Sequence, residues 1–531
     1  MEETKDAAVH TVRGRQYAVV SGHALATESA LKMLKADGNI VDAAITAAAT
    51  LCSAVPHACG LGGDCFILLH QDGETYSLNG SGPAPKKLPL NLSRAELSDG
   101  PLSCSVPGMV GAWAELHQQF GSRPWASLFE PAIDLAENGV TLASDLINAF
   151  KAHQSRLQAD PGCQQVFLSS LSDNGKVLYQ PQLAQTLRQL AAEGRSAFYE
   201  GEIGQQVCEA VQARGGVLSP ADLAAYSPLW MQPLQLEYRG HVVCVPPPNS
   251  YAMLMLLQLA ALAPQDFGQI AWEDADRLCL LMTAARQATA AAVPYLHDPF
   301  IAAELKANTE GDAPNTAVPA QLLQQLQSVA QDSQKANEAF RQLPRSNGTA
   351  LVAITDERGN GISIIQSIFT PFGSHVADSK TGVLLNNRLM GFSSKPSDPN
   401  FARPGQRPAH TLSPALVLKD GRLRFLLTTP GGSGQTITLV QVLSNMVDYG
   451  LSLPEAIARP RWSLDLDGNL LLEAGIPTEV VAALQQAQLD VLVAKPEHRF
   501  FFGSAECISV DPDGLMTAVA DYRRNAFAGG F

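Results

Sequence analysis

Two short runs rich in strand-forming residues, ALVAIT at 350–355 and ISIIQS at 362–367, flank the hexapeptide DERGNG. Gly-Asn-Gly supplies the positive φ angles of a tight turn, so the stretch predicts a hairpin. What precedes the hairpin is unusual. A polar, helix-rich segment ends in Ser346-Asn347-Gly348, and the first strand opens with Thr349.

A threonine at the start of a strand is in most chains a strand residue and nothing more. One chemistry makes it more. The hydroxyl is a weak nucleophile until a base takes its proton, and the threonine's own α-amine serves once the preceding peptide bond is cut. A free α-amine has a pKa of about 7.7–8.0, close to working pH. The scheme needs an unhindered residue before the threonine and a rigid strand behind it, and Gly348 and the run from Ala350 meet both needs. A second feature, TTPGGSGQT at 428–436, ends a strand in Gly431 and Gly432 and opens a helix. Backbone N–H groups at such a junction can hold an oxyanion, although many are plain turns.

The rest of the chain sets the frame. Residues 26–55 read as two helices broken at Gly38, the first capped by Thr27 or Ser29, and VDAAITAAATLCSAV reads as a buried helix. Residues 124–230 alternate amphipathic helices with loops. Residues 302–344, rich in Ala and Gln, read as exposed helix and linker. Strands dominate after Thr349, until the helix that follows the glycines. Strands and helices in this order predict a layered α/β or α+β architecture. The 46% apolar and 17% charged residues fit a large globular core, and a net charge of −14 opposes binding to a phosphate backbone, which excludes nucleic acid as a partner. No run is long enough to span a bilayer, and the N-terminus lacks a leader pattern. Nine scattered cysteines without a CxxC pair suit reduced thiols in the cytoplasm, with Cys65 and Cys104 as core residues. GLGGD at 60–64 lacks the full dinucleotide fingerprint, and there is no P-loop, HExxH or GxSxG.

Together, LATESALKMLKADGNIVDAAITAAA, VPHACGLGGDCFILL, FYEGEIGQQVCEAVQARGGVLSPADLAAY, DERGNGISIIQSIFTPFGS, GVLLNNRLMGFS and LSPALVLKDGRLRFLLTTPGGS resemble the γ-glutamyltransferase family of N-terminal-nucleophile hydrolases over nearly the whole chain. The resemblance implies a four-layer αββα sandwich of α+β class and a proenzyme that cuts itself between Gly348 and Thr349. Residues 1–348 would form a large piece, with 302–348 as polar linker, and 349–531 a small one. The two would stay associated in one intertwined domain, with or without a higher oligomer. It implies Thr349 as nucleophile and α-amino base, Ser367 as a supporting hydroxyl, and Gly431 and Gly432 as the oxyanion hole. It implies a small-molecule amide as partner, with no metal and no organic cofactor.

The sequence departs from the family around the substrate. Ser81 stands in place of the usual arginine, Met390 and Gly391 in place of acids, Phe369 in place of an asparagine, and His410 and Thr411 in place of paired serines. A zwitterionic head group would lose two charge-assisted contacts of roughly 1.5–3 kcal/mol each. Ser81, Asn387, Arg388, His410 and Thr411 are the candidates for substrate binding, and Arg388, Arg403, Arg407 and His410 could form a different anion-binding set. The segment 392–413 is shorter than the family's lid region, which predicts a more open pocket. Three readings follow: transfer or hydrolysis of a γ-glutamyl group, hydrolysis of a small acid amide such as oxamate or another acyl amide, or an unprocessed, non-catalytic family member.

Overall fold

The computed structural model describes residues 9–172, 174–298, 317–329, 339, 348–464, 469–487, 489–495, 498 and 501–531. Two seven-stranded sheets form its centre, each antiparallel throughout. One sheet runs in the order Phe527–Gly530, Tyr17–Ser21, Gly348–Asp356, Gly361–Phe369, Asp64–Gln71, Glu74–Gly80 and Leu229–Met231. The other runs His10–Gly14, Met516–Ala520, Glu506–Val510, Arg422–Thr428, Ala415–Lys419, His241–Val245 and Leu234–Tyr238. Strands from before and after Thr349 thus sit side by side in both sheets, so neither stretch can form a sheet of this order alone.

The predicted hairpin is present as Gly348–Asp356 and Gly361–Phe369, every residue of it buried. Its apolar residues do not alternate with exposed polar ones, because successive side chains point to opposite faces and both faces are covered. Val352, Ile354, Ile362 and Ile364 join the core under the first helical layer. Ala353 faces the other way, into the seam between the sheets, with Ala18, Val20, Leu416, Leu426, Ile508 and Ala518. Each fully buried Ile contributes roughly 1.5–3 kcal/mol. In the turn only Gly359 is left-handed, at φ 82°. The Asp356 carboxylate closes it by accepting from the Arg358 and Asn360 N–H groups, at 3.0 and 2.9 Å.

Helices Ala24–Lys35 and Ile40–Ala54 cover the first sheet, and Met253–Leu262, Ala275–Ala292 and Gly434–Val447 cover the second, giving the αββα order. Ile40–Ala54 is buried along its whole length, and its alanines allow neighbours close on every side. It carries a capping box between Asn39 and Asp42. The first helix starts earlier than the expected caps Thr27 and Ser29. His23 is the N-cap, accepting from the Leu25 N–H at 3.3 Å, while Thr27 and Ser29 lie inside the helix and donate to the Phe527 and Ala26 carbonyls. Most of the expected linker lies outside the described residues. Its described helix, Ala320–Val329, is not wholly exposed: Leu322 and Leu326, one turn apart, are buried with residues of helix Ala275–Ala292. All nine cysteines are free, and Cys65 and Cys104 lie in the core. No helix among the described residues is long and apolar enough to cross a membrane.

Candidate active site

The hairpin is regular except at its open end. Gly348 pairs with Phe369 and Ala350 with Gln366, so Thr349 alone faces two residues, Ser367 and Ile368. This is a β-bulge, a device that re-aims a side chain near a site. Ser367 Oγ donates to the Gly348 carbonyl and accepts from the Phe369 N–H at 2.7 Å. The two bonds fix the direction of the hydroxyl proton: it points at the carbonyl of the Gly348–Thr349 bond. Phe369, fully buried, holds φ at 85°, a left-handed backbone that costs a bulky residue energy and that its surroundings must enforce. A Cβ on Gly348 would stand 3.0 Å from the Phe369 carbonyl oxygen, so a glycine fits this close approach best.

Thr349 lines a cavity at the ends of both sheets, together with His23, His57, Pro430, Glu506 and Arg524. Pro430 leads into Gly431 and Gly432, whose φ values of 127° and 58° only glycine adopts without strain. Their carbonyls accept from the Gly434 and Gln435 N–H groups, and helix Gly434–Val447 follows. Among the described residues the N–H groups of Gly431 and Gly432 are given to no other group. The turn is braced by Thr429 Oγ1, which accepts from the Ser504 N–H at 3.2 Å and donates to the Pro430 carbonyl at 2.9 Å.

The charged groups of this cavity are strongly perturbed. Burial pushes the Glu506 carboxyl up to about 8. One oxygen accepts from Ser504 Oγ at 2.5 Å, and the other has no hydrogen-bond partner. Burial, helped by the Arg524 charge, pulls His57 down to about 3, so its ring is neutral. Burial also lowers Arg524, against the pull of Asp145, Glu506 and Asp521.

The five residues expected to bind substrate are buried elsewhere, and none lines this cavity. Arg388 makes a bidentate pair with Asp64, Nε to Oδ2 at 2.9 Å and Nη2 to Oδ1 at 2.8 Å. His410 Nε2 lies 3.0 Å from Asp64 Oδ2, and all three side chains are fully buried. The Arg388 guanidinium lies 4.3 Å from the centre of the Phe369 ring, a cation–π contact against the strained residue. Burial opposes the Asp64 charge, but Arg388 and His410 overcome it and hold the carboxyl below its ordinary range. Burial and Arg388 pull His410 down to about 4. Ser81 Oγ donates to Asn79 Oδ1 at 2.6 Å and accepts from Asn249 Nδ2 at 3.2 Å. Asn387 Nδ2 donates to the Ser98 carbonyl and to Thr370 Oγ1. The Thr411 carbonyl accepts from Ser413 Oγ. The expected set of Arg388, Arg403, Arg407 and His410 does not assemble as one cluster. Arg388 and His410 meet on Asp64, while Arg407 Nε holds the Ser81 carbonyl and Arg403 stacks on Phe401.

Asp64, Glu506 and Arg524 were not singled out by the sequence. Asp64 had a signal in GLGGD. A Cβ on Gly63 would stand 2.5 Å from the Ser367 carbonyl oxygen and one on Gly62 2.1 Å from that of Leu384, so the glycines let this segment lie against the hairpin and bring Asp64 opposite Ser367. Glu506 and Arg524 are brought to Thr349 only by the stacking of the sheets, and no spacing announces them.

A family model described as Gamma-glutamyltranspeptidase matches residues 26–531. A Bacillus subtilis protein named Glutathione hydrolase-like YwrD proenzyme is 32% identical, over 98% of this chain and 99% of its own length. A Klebsiella pneumoniae protein named Oxamate amidohydrolase proenzyme is 29% identical, over 96% and 98%. The crystal structure of a cephalosporin acylase from Bacillus halodurans superposes with a TM-score of 0.85 at 28% identity, covering 98% of this chain and 97% of its own.

Proposed function

Because the chain belongs to the gamma-glutamyltranspeptidase family of amide-cleaving N-terminal-nucleophile enzymes, we propose that it cuts itself between Gly348 and Thr349 and then hydrolyses an amide that is not held by the family's γ-glutamyl grip. One observation carries the first part. The carbonyl of the bond to be broken is already held by Ser367 Oγ, at a bulge whose next residue, Thr349, faces the cavity.

In the first stage Thr349 Oγ attacks the Gly348 carbonyl carbon, and Ser367 Oγ–H stabilises the negative oxygen that forms. The C–N bond breaks, the nitrogen takes up the hydroxyl proton, and an ester remains. Water opens the ester to give the Gly348 carboxylate and a free Thr349 amine. In the second stage that amine accepts the Oγ proton as Oγ attacks the substrate amide carbon. The Gly431 and Gly432 N–H groups, unused in the fold, receive the oxyanion, a contribution of about 2.7–4 kcal/mol per donor. The amine leaves with the transferred proton, and water resolves the acyl-enzyme. The relatives named proenzymes support the first stage, and those named acylase or amidohydrolase support the second.

The commitment of Arg388 to Asp64 supports an acyl group other than γ-glutamyl, since this cation is already paired within the protein. The name of the Bacillus subtilis relative favours a second reading, hydrolysis of glutathione-like γ-glutamyl amides. A denaturing gel tests self-cleavage: two bands in the wild type and one in Thr349→Ala are expected. A γ-glutamyl anilide assay run beside ammonia release from small amides tests the substrate. Ammonia release without anilide turnover supports the first reading, and anilide turnover alone sinks it.

A further inference from the structure

The hydroxyl aimed at the bond to be cut takes its own direction from the residues behind it. Ser367 Oγ accepts from the Phe369 N–H at 2.7 Å, which leaves its proton for the Gly348 carbonyl. That direction lasts only while the peptide plane between Ile368 and Phe369 stays in place. On the other edge of the same plane the Ile368 carbonyl accepts from the Asn387 N–H at 3.2 Å, the long end of the range. The φ torsion of Phe369 sets this plane against the rest of the residue, and at 85° a bulky side chain is strained. Relaxation to a negative φ would turn either the plane, and the N–H with it, or the ring and the chain that follows.

Two consecutive residues oppose that relaxation. Asn387 grips the following residue: its Oδ1 accepts from the Thr370 N–H at 3.2 Å, and its Nδ2 donates to Thr370 Oγ1 at 2.8 Å. Arg388 grips the ring, with its guanidinium 4.3 Å from the ring centre. A guanidinium on a flexible stem would swivel, but here Nε and Nη2 bind both oxygens of Asp64, a fork that fixes its plane. Asp64 stands directly opposite Ser367 on the neighbouring strand, so ring and hydroxyl are held against the same strand pair. Arg388 is fully buried and does not line the cavity at Thr349, so it reaches the reacting bond through Phe369 and Ser367.

We propose that Arg388 is a positioning residue for self-cleavage. Oriented by Asp64, it holds the Phe369 ring, the strained backbone keeps its N–H on Ser367 Oγ, and the Ser367 proton stays on the Gly348 carbonyl that Thr349 attacks. The inference deepens the reading of self-cleavage and rests on it.

The cleavage rate is read after a labelling pulse in cell-free translation of the full-length chain, as conversion of one band to two on denaturing gels. Unfolding midpoints are read on the same variants combined with Thr349→Ala, so that all chains compared are uncut. Asp64→Leu with Arg388→Met replaces the ion pair by apolar groups and leaves no charge unpaired. Phe369→Leu removes the ring and keeps the pair. Each is expected to slow cleavage by about tenfold to a hundredfold, the cost of a misplaced donor, while a cooperative unfolding transition remains. Arg388→Lys keeps a cation but loses the fork, and is expected to cut at a rate between these and the wild type. The separating measurement uses Ser367→Ala as background. There the same changes are expected to slow cleavage no further, because the group they orient is gone. A general loss of rigidity would slow it again by the same factor, and that result overturns the proposal. Cleavage at the wild-type rate in Phe369→Leu and in the double variant also overturns it, and if the double variant does not fold, Phe369→Leu decides alone. A wild type that stays uncut overturns the reading beneath it as well.

Discussion

Two polar clusters lie close to the hairpin that carries Thr349, and they differ in whether they line the cavity that Thr349 lines. In the Asp64–Arg388–His410 cluster both carboxylate oxygens accept from the Arg388 guanidinium, all three side chains are sealed from solvent, Phe369 closes over the guanidinium, and Arg388 Nη1 and His410 Nε2 are left without a hydrogen-bond partner. In the Glu506–Arg524 wall one carboxyl oxygen is unmatched, and the groups border open space shared with Thr349. The sequence made Arg388 and His410 of the first cluster candidates for binding, because they fall in the family's substrate motifs.

Removing one partner of the sealed cluster should have the largest effect. Asp64→Ala leaves Arg388 buried without its counter-ion and is expected to destabilise the protein by about 3–5 kcal/mol, read by denaturant unfolding. The double change Asp64→Leu with Arg388→Met should cost far less. Equal losses in the single and double variants would break the comparison, since the pair would then stabilise the fold beyond cancelling its own charges.

Ser367→Ala comes next. It removes the donor on the Gly348 carbonyl and should slow self-cleavage by about 10²–10³-fold, with little change in the unfolding midpoint of the uncut chain. A time course on denaturing gels reads it. Cleavage at the wild-type rate would remove Ser367 from the mechanism.

The smallest effect sharpens the contrast on the side of the open wall. The Glu506 carboxyl is raised from an ordinary 4.5 to about 8 by burial. The folded protein therefore binds more protons than the unfolded chain across that window. Glu506 contributes stability that is complete below about 4.5 and is lost as pH rises towards 8. Glu506→Gln, neutral at all pH, should flatten the decline in melting temperature between pH 5 and 8. An unchanged slope would mean that the carboxyl is already ionised in the folded state.

The hairpin was legible because its two runs are rich in strand-forming residues and its turn carries Gly359. Thr349, Gly348 and the Gly431–Gly432 turn could be named as candidates because the proposed chemistry fixes local residue types. The cap of the first helix was misplaced by a few residues, because His23 can accept a hydrogen bond as Ser or Thr does. The burial of Leu322 and Leu326 was hidden in a segment whose composition is polar. The Glu506–Arg524 wall was not legible, since Glu506 and Arg524 reach Thr349 through the packing of two sheets and through no motif.

The account stands most directly on the covalent state of the active protein. Intact-mass measurement and N-terminal sequencing of purified, amide-hydrolysing enzyme should find two chains, residues 1–348 and 349–531, the second starting at an unblocked Thr349. A single uncut chain with full amidase activity would contradict it.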